Sequence, residues 1–181
     1  MARVDYPNIP DADPLVDRIV AERGSVLNLY RMLLHSPGIA EGWLRMGSAV
    51  NAELSIDHRT REIVVCAVAR AANAEYEWSN HAPAALRRGV TQRELDAIRS
   101  GDRTAFDGLD RAVLDAVDVI AADPAGADPA IRALRVWLDD RTIAELVFLV
   151  SFYWMVTRTT LALEIDHDEI SWGLTESALE G

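Results

Sequence analysis

Apolar residues recur along this chain at three- and four-residue intervals, which is the spacing of one face of an α-helix. Val26, Leu29, Tyr30, Leu33 and Leu34 form one such set. Ser25 is placed to cap a helix over Val26–His35. An earlier helix is predicted over Pro14–Arg23, stopped by Gly24. Pro37 suits the first helical position of a third, running to about Ala52 with Ile39, Trp43, Met46 and Val50 on one face. Arg61–Asn73 is nearly all apolar or small after Glu62, with Asp57 or Thr60 to cap it. A helix apolar all round belongs in the middle of a core.

Asn73-Ala74 reads as a weak point, after which helical spacing continues to Arg88 and stops at Gly89. Thr91 and Glu94 spell a capping box for a short helix to about Ser100. Leu109–Ala121 is amphipathic, with Val113, Leu114, Val117 and Ile120 inward. Asp123–Asp128 is a loop, Pro129–Leu138 a helix, and Ile143–Leu163 a long helix capped by Asp140 or Thr142. Met1–Asp13 is expected to be an extended arm. In the acidic tail Glu164–Gly181, Ile165, Ile170, Trp172 and Leu174 are placed to pack. No segment alternates with period two, so no strand is predicted. The reading is a single all-α domain, a helical bundle over residues 1–181.

Composition sharpens this. Half the residues are hydrophobic, which excludes a disordered chain. The formal net charge of −11 weighs against nucleic acid and against anionic membranes, because an acidic surface repels phosphate. The most apolar stretch, Ile143–Val156, falls short of the ~20 residues that span a bilayer. The N-terminus has no apolar signal core. The single cysteine, Cys66, admits no internal disulfide. These features lead us to expect a soluble cytoplasmic protein.

An echo suggests two related halves. Asp57–Val64 reads DHRTREIV and Asp140–Val147 reads DRTIAELV, which sets Glu62 on Glu145.

The polar groups with chemical potential gather around the apolar helix. Glu62 opens it, and Glu75, Tyr76, Glu77, Trp78 and His81 follow it. Glu77 and His81 are four apart, so on one helix they can touch. A carboxylate beside an imidazole orients it and stabilises its charged form, which is the equipment of proton transfer near neutral pH. Pro83 is expected to bend the helix there or to begin a new one. Glu62, if buried, requires a partner, with His81, Arg59 and an arginine from a neighbouring helix as candidates. The alternative is a salt bridge that only fixes helix register. Glu75, Glu77 and His81 also have spacing open to a metal, but no further histidine lies nearby and no metal is assigned. Tyr76 and Trp78 are placed to line a pocket.

The run from Arg61-Glu62-Ile63 through Glu75-Tyr76-Glu77-Trp78-Ser79-Asn80-His81 to Arg87-Arg88-Gly89-Val90-Thr91 and Glu94 resembles the carboxymuconolactone decarboxylase / alkylhydroperoxidase D-like family, most strongly over residues 60–98. The resemblance implies a helical bundle that assembles as a homo-oligomer, a trimer or hexamer. The redox branch of that family carries C-x-x-C-x-x-x-H with a glutamate one helix earlier. On this chain the glutamate matches Glu62 and the histidine His81, while the cysteine positions hold Ala74 and Glu77. Thiol peroxidase chemistry needs both thiols, so it is not expected. The decarboxylase branch uses neither. It implies a cofactor-independent enzyme on a small organic acid or lactone, with His81, Glu62 and Glu77 moving protons. Tyr76, Trp78, Arg61 and Arg88 would hold the substrate, the arginines by its carboxylate. The competing expectation is a non-catalytic binding or scaffold protein on the same fold.

Overall fold

The computed structural model describes residues 1–9 and 13–169, and within them every regular element is helical. Nine α-helices run in order: α1 Pro14–Arg23, α2 Asn28–Leu33, α3 Pro37–Ala52, α4 His58–Ala72, α5 Glu75–Arg87, α6 Gln92–Ser100, α7 Gly108–Ala122, α8 Asp128–Leu134 and α9 Asp140–Leu163. A single 3₁₀ turn, Pro124–Gly126, joins α7 to α8.

The all-round apolar sequence of α4 is explained by its place. Ile63 to Val68 are fully buried, and α5, α6, α7 and α9 pack around them. Each such side chain removed from water contributes about 1.5–3 kcal/mol, so the central helix holds the others to it. Asp57 caps α4 by accepting from Thr60 N, and Asn73 ends it at φ 53°. The chain then re-enters as α5, which runs through Pro83 without a break. The Thr91–Glu94 capping box of α6 forms as expected.

Four local expectations are corrected. Ser25 does not cap α2: Leu27 holds the N-cap position without a side-chain bond. The first amides of α2 are satisfied by remote groups instead, Asn28 N donating to Asp168 Oδ1 (2.6 Å) and Leu29 N to Tyr76 Oη (3.3 Å). On α3 the buried stripe is Ala40, Leu44, Gly47 and Val50, one step round from the expected face, and Ile39 and Met46 are exposed. The cap of α9 is Asp139, which accepts from Thr142 N. Finally, α8 ends at Leu134, leaving Val136 and Trp137 exposed.

The N-terminal arm is tied down by Arg3 N donating to Leu163 O (2.8 Å) and by Tyr6 donating to Asp166 (3.3 Å). Ile165 is buried as expected, while Ile170, Trp172 and Leu174 lie outside the described residues. At 24 residues α9 has the length and composition to cross a bilayer, but its inner side is core, with Leu146, Leu149, Val150 and Tyr153 buried. The two glutamates of the echo stand in different surroundings. Glu62 is fully buried, whereas Glu145 binds Arg141 at the surface and accepts from Ser55 N.

Candidate functional site

The first turn of α4 and the middle of α5 face each other across the core. That arrangement brings Glu62 and His81 together although 19 positions separate them. His81 Nδ1 lies 2.9 Å from Glu62 Oε2. The other carboxylate oxygen, Oε1, accepts from Arg61 Nε (3.2 Å) and Nη2 (3.0 Å), and Arg61 also donates to the carbonyl of Asn51. Burial alone would push the Glu62 carboxyl up, but the facing His81 and the Arg61 guanidinium outweigh it and hold the group below the ordinary carboxylate range. Glu62 is therefore an acceptor, so Nδ1 carries the proton toward it. Nε2 is the ring nitrogen on the side away from Glu62.

Glu77 does not join that pair. Its Oε2 accepts from Thr160 Oγ1 on α9 (3.0 Å), and its Oε1 is buried with no hydrogen-bond partner. Only 2% of the residue is exposed. Burial therefore pushes its carboxyl from the ordinary 4.5 up to about 7. The site thus holds two carboxyls whose surroundings drive them apart, one ionised and one titrating near neutrality.

Glu77 and His81 stand on the wall of a cavity of about 70 Å³. Its polar side is formed by Glu77, His81, Asn80, Asn51 and Arg23, and its apolar side by Leu27, Leu29, Trp43, Phe152 and Val156 with the rings of Tyr30, Tyr76 and Tyr153. Tyr153 meets the His81 ring edge-on, at 5.0 Å between centroids and 88°. Burial and the nearby Glu62 raise the Tyr153 phenol, which keeps it neutral. Tyr76 lines the cavity and donates to Asp168 Oδ2 (2.6 Å).

Of the residues singled out from the sequence, His81, Glu77 and Tyr76 line this cavity and Glu62 supports it from behind. Arg61, Arg88 and Trp78 do not line it. Arg61 is spent on Glu62, Arg88 sits at the C-cap of α5, and Trp78 stacks under Arg99 (4.7 Å) beside a different cavity. Arg59 pairs with Asp110 (2.7 Å) and Glu94 rather than with Glu62.

Sequence reasoning missed Arg23, Asn51, Asn80 and Tyr30. Arg23 is a buried arginine held by Tyr30 Oη (3.1 Å) and Ser48 Oγ (2.8 Å). The signal for it is Gly47, where an added Cβ would stand 3.2 Å from the Arg23 guanidinium. The gap in the α3 side-chain row is what admits the charged head.

Cys66 is fully buried, and burial together with Glu62 raises its thiol well above the ordinary value, so it is a poor thiolate source. Among the described residues no three His, Cys, Asp or Glu stand together as a metal-binding group.

The protein has an all-helical, alkylhydroperoxidase D-like fold with a buried glutamate–histidine pair and a single cysteine. The sequence model of the carboxymuconolactone decarboxylase family matches residues 37–122. No curated protein matches the chain. Among solved structures, the alkylhydroperoxidase AhpD core from Ralstonia eutropha JMP134, a peroxidase-related protein, superposes with a TM-score of 0.81 at 16% identity, covering 96% of this chain and 95% of its own. A peroxidase-related protein from Silicibacter sp. TM1040 gives 0.78 at 17%, covering 93% and 94%. A cysteine-to-alanine variant of the debrominase Bmp8, bound to 2,3,4-tribromopyrrole, gives 0.72 at 16%, covering 97% and 98%. At such identities the likeness speaks for the fold.

Proposed function

We propose that this protein is a cofactor-independent acid–base enzyme of the carboxymuconolactone decarboxylase-like family, acting on a small organic acid or lactone by proton transfer. The observation that carries the reading is His81 on a cavity wall with Nδ1 held 2.9 Å from the ionised Glu62. His81 Nε2 takes a proton from, or returns one to, a carbon of the substrate, and Glu62 stabilises the imidazolium formed meanwhile. Glu77, titrating near neutral pH, is the second proton donor or acceptor. A decarboxylation fits the same equipment: loss of carbon dioxide leaves an enolate, which His81 reprotonates. Tyr76 is retained as a substrate-wall residue.

The cavity supports this reading over a non-catalytic scaffold, which requires only that Glu62 and His81 satisfy each other in a dry interior. Thiol peroxidase chemistry is left without its nucleophile, since Glu77 occupies one of the two cysteine positions.

The test is hydrogen–deuterium exchange into lactone and keto-acid probes in deuterated buffer, followed by proton NMR. His81→Asn is expected to lose at least about 100-fold of whatever exchange or turnover the parent shows, within the range of general acid–base contributions. Unchanged turnover in that variant refutes the proposal.

The same reading places the enzyme in the cytoplasm as a homo-oligomer, a trimer or hexamer. Phe148 and Met155, exposed seven residues apart on one face of α9, support a subunit contact. Light scattering that finds only the 20.0 kDa single chain counts against it.

A further inference from the structure

We infer that the cavity selects a small uncharged ring that donates a hydrogen bond, such as a phenol or an N–H heterocycle, and discriminates against free carboxylates. The inference rests on the acid–base reading for the site but goes beyond its substrate, setting the free acid aside for an uncharged ring.

The argument is a census of what the cavity leaves unsatisfied. Glu77 Oε1 and Asn51 Oδ1 are both buried without partners, and both residues line the cavity. A buried acceptor left unpaired is costly, and most in native proteins are paired. With Glu77 ionised, both acceptors await a proton that no described protein group supplies. A carboxylate brings none, and it sets a second negative charge beside Glu77.

The cationic group at the cavity does not reverse this. Arg23 Nε donates to Tyr30 Oη (3.1 Å), Nη1 to the Glu22 carbonyl (3.1 Å), and Nη2 to Ser48 Oγ (2.8 Å) and the Leu44 carbonyl (3.4 Å). One N–H of its five is left, so it has no parallel pair for a bidentate carboxylate. Arg61 is occupied in the same way by Glu62 and Asn51.

Shape narrows the class further. Phe152 and Tyr153 meet at 5.4 Å and 88°, and Trp43 tilts over Phe152 at 6.0 Å, which makes a wall of ring edges and faces. Aromatic partners suit such a wall. An engineered apolar cavity of roughly 150 Å³ holds benzene. At about 70 Å³ this one is sized for a single small ring.

The test is the dissociation constant of matched probes for the intact protein at pH 8, where Glu77 is ionised, measured by calorimetry and ligand-observed NMR. Phenol is compared with anisole and benzoate, and pyrrole with N-methylpyrrole. We expect phenol and pyrrole to bind at least about tenfold tighter than their methylated partners, the fold-change for one buried hydrogen bond. Benzoate is expected to bind more weakly than phenol. Glu77→Gln presents an amide N–H where Oε1 stood, so the phenol-to-anisole ratio should fall toward one or invert while the circular dichroism stays helical. Glu77→Met, which has no group there at all, should bring the ratio to about one.

Equal binding of phenol and anisole overturns the inference. So does tighter binding of benzoate, an unchanged ratio in both variants, or no binding of any probe. Binding is read without turnover, so the two readings fail separately. A His81→Asn protein that keeps turnover sinks the acid–base proposal and leaves the probe ratios standing.

Discussion

Glu77 makes the protein less stable as the pH rises, and Glu77→Gln isolates that effect. In the folded state burial lifts its carboxyl from the ordinary 4.5 to about 7. The charged form is thus disfavoured on folding. The stability associated with the neutral carboxyl is fully present below 4.5, declines as the pH rises toward about 7, and is gone above it. Each unit of that interval is worth about 1.4 kcal/mol, which makes a total of about 3 kcal/mol. Because the side chain is nearly inaccessible, water screens little of this. The glutamine keeps an oxygen for Thr160 Oγ1 but does not titrate. Thermal and urea melts of both proteins from pH 4 to 8.5 should therefore diverge, the variant gaining about 3 kcal/mol on the parent between the ends. For a chain of this size that is roughly 6–12 °C in the separation of the two melting temperatures. Other titrating groups move both proteins alike and cancel in the difference. Parallel curves across the range would refute the reasoning, because they would mean that Glu77 is solvated or paired.

Glu62→Gln removes the charge that compensates Arg61 in a dry site, so it should cost about 3–5 kcal/mol in urea denaturation; a variant as stable as the parent would show that the pair is not desolvated. Cys66 should react with a thiol reagent only as fast as the protein unfolds, and rapid labelling in native buffer would contradict its burial. Gly47→Val should displace the Arg23 guanidinium, which already stands 3.2 Å from where a Cβ would be, and lower both stability and probe binding. An unaltered melting temperature with unaltered binding would show that α3 can shift to make room.

Much of the scaffold was legible because helix signals are local. Pro37, Gly24, Asp57, Gly89 and the Thr91–Glu94 box act within a turn or two of themselves, and each sits where its chemistry suggests. The uniform apolarity of α4 correctly announced a central helix. The errors fall where a remote partner replaces a local one. Ser25 is a good cap in isolation, but Asp168 and Tyr76 reach the amides of α2 first. The α3 face was misread because a glycine counts as neutral in a hydrophobic pattern, while here Gly47 is the point of closest approach. At the site, the i,i+4 spacing suggested Glu77 with His81, and the fold gave His81 to Glu62 and Glu77 to Thr160.

By itself, then, the sequence determined an all-helical chain, a buried central helix, and a set of carboxyls and one imidazole without the cysteine pair. Those properties follow from periodicity, composition and short-range capping, which act between neighbours. Which carboxyl is ionised was decided only by the tertiary structure. So were the choice of arginine at the cavity and the acceptors left waiting for a ligand's proton. Together these depend on burial and on partners from six different helices, and desolvation is a property of a place in the fold rather than of a residue in the chain.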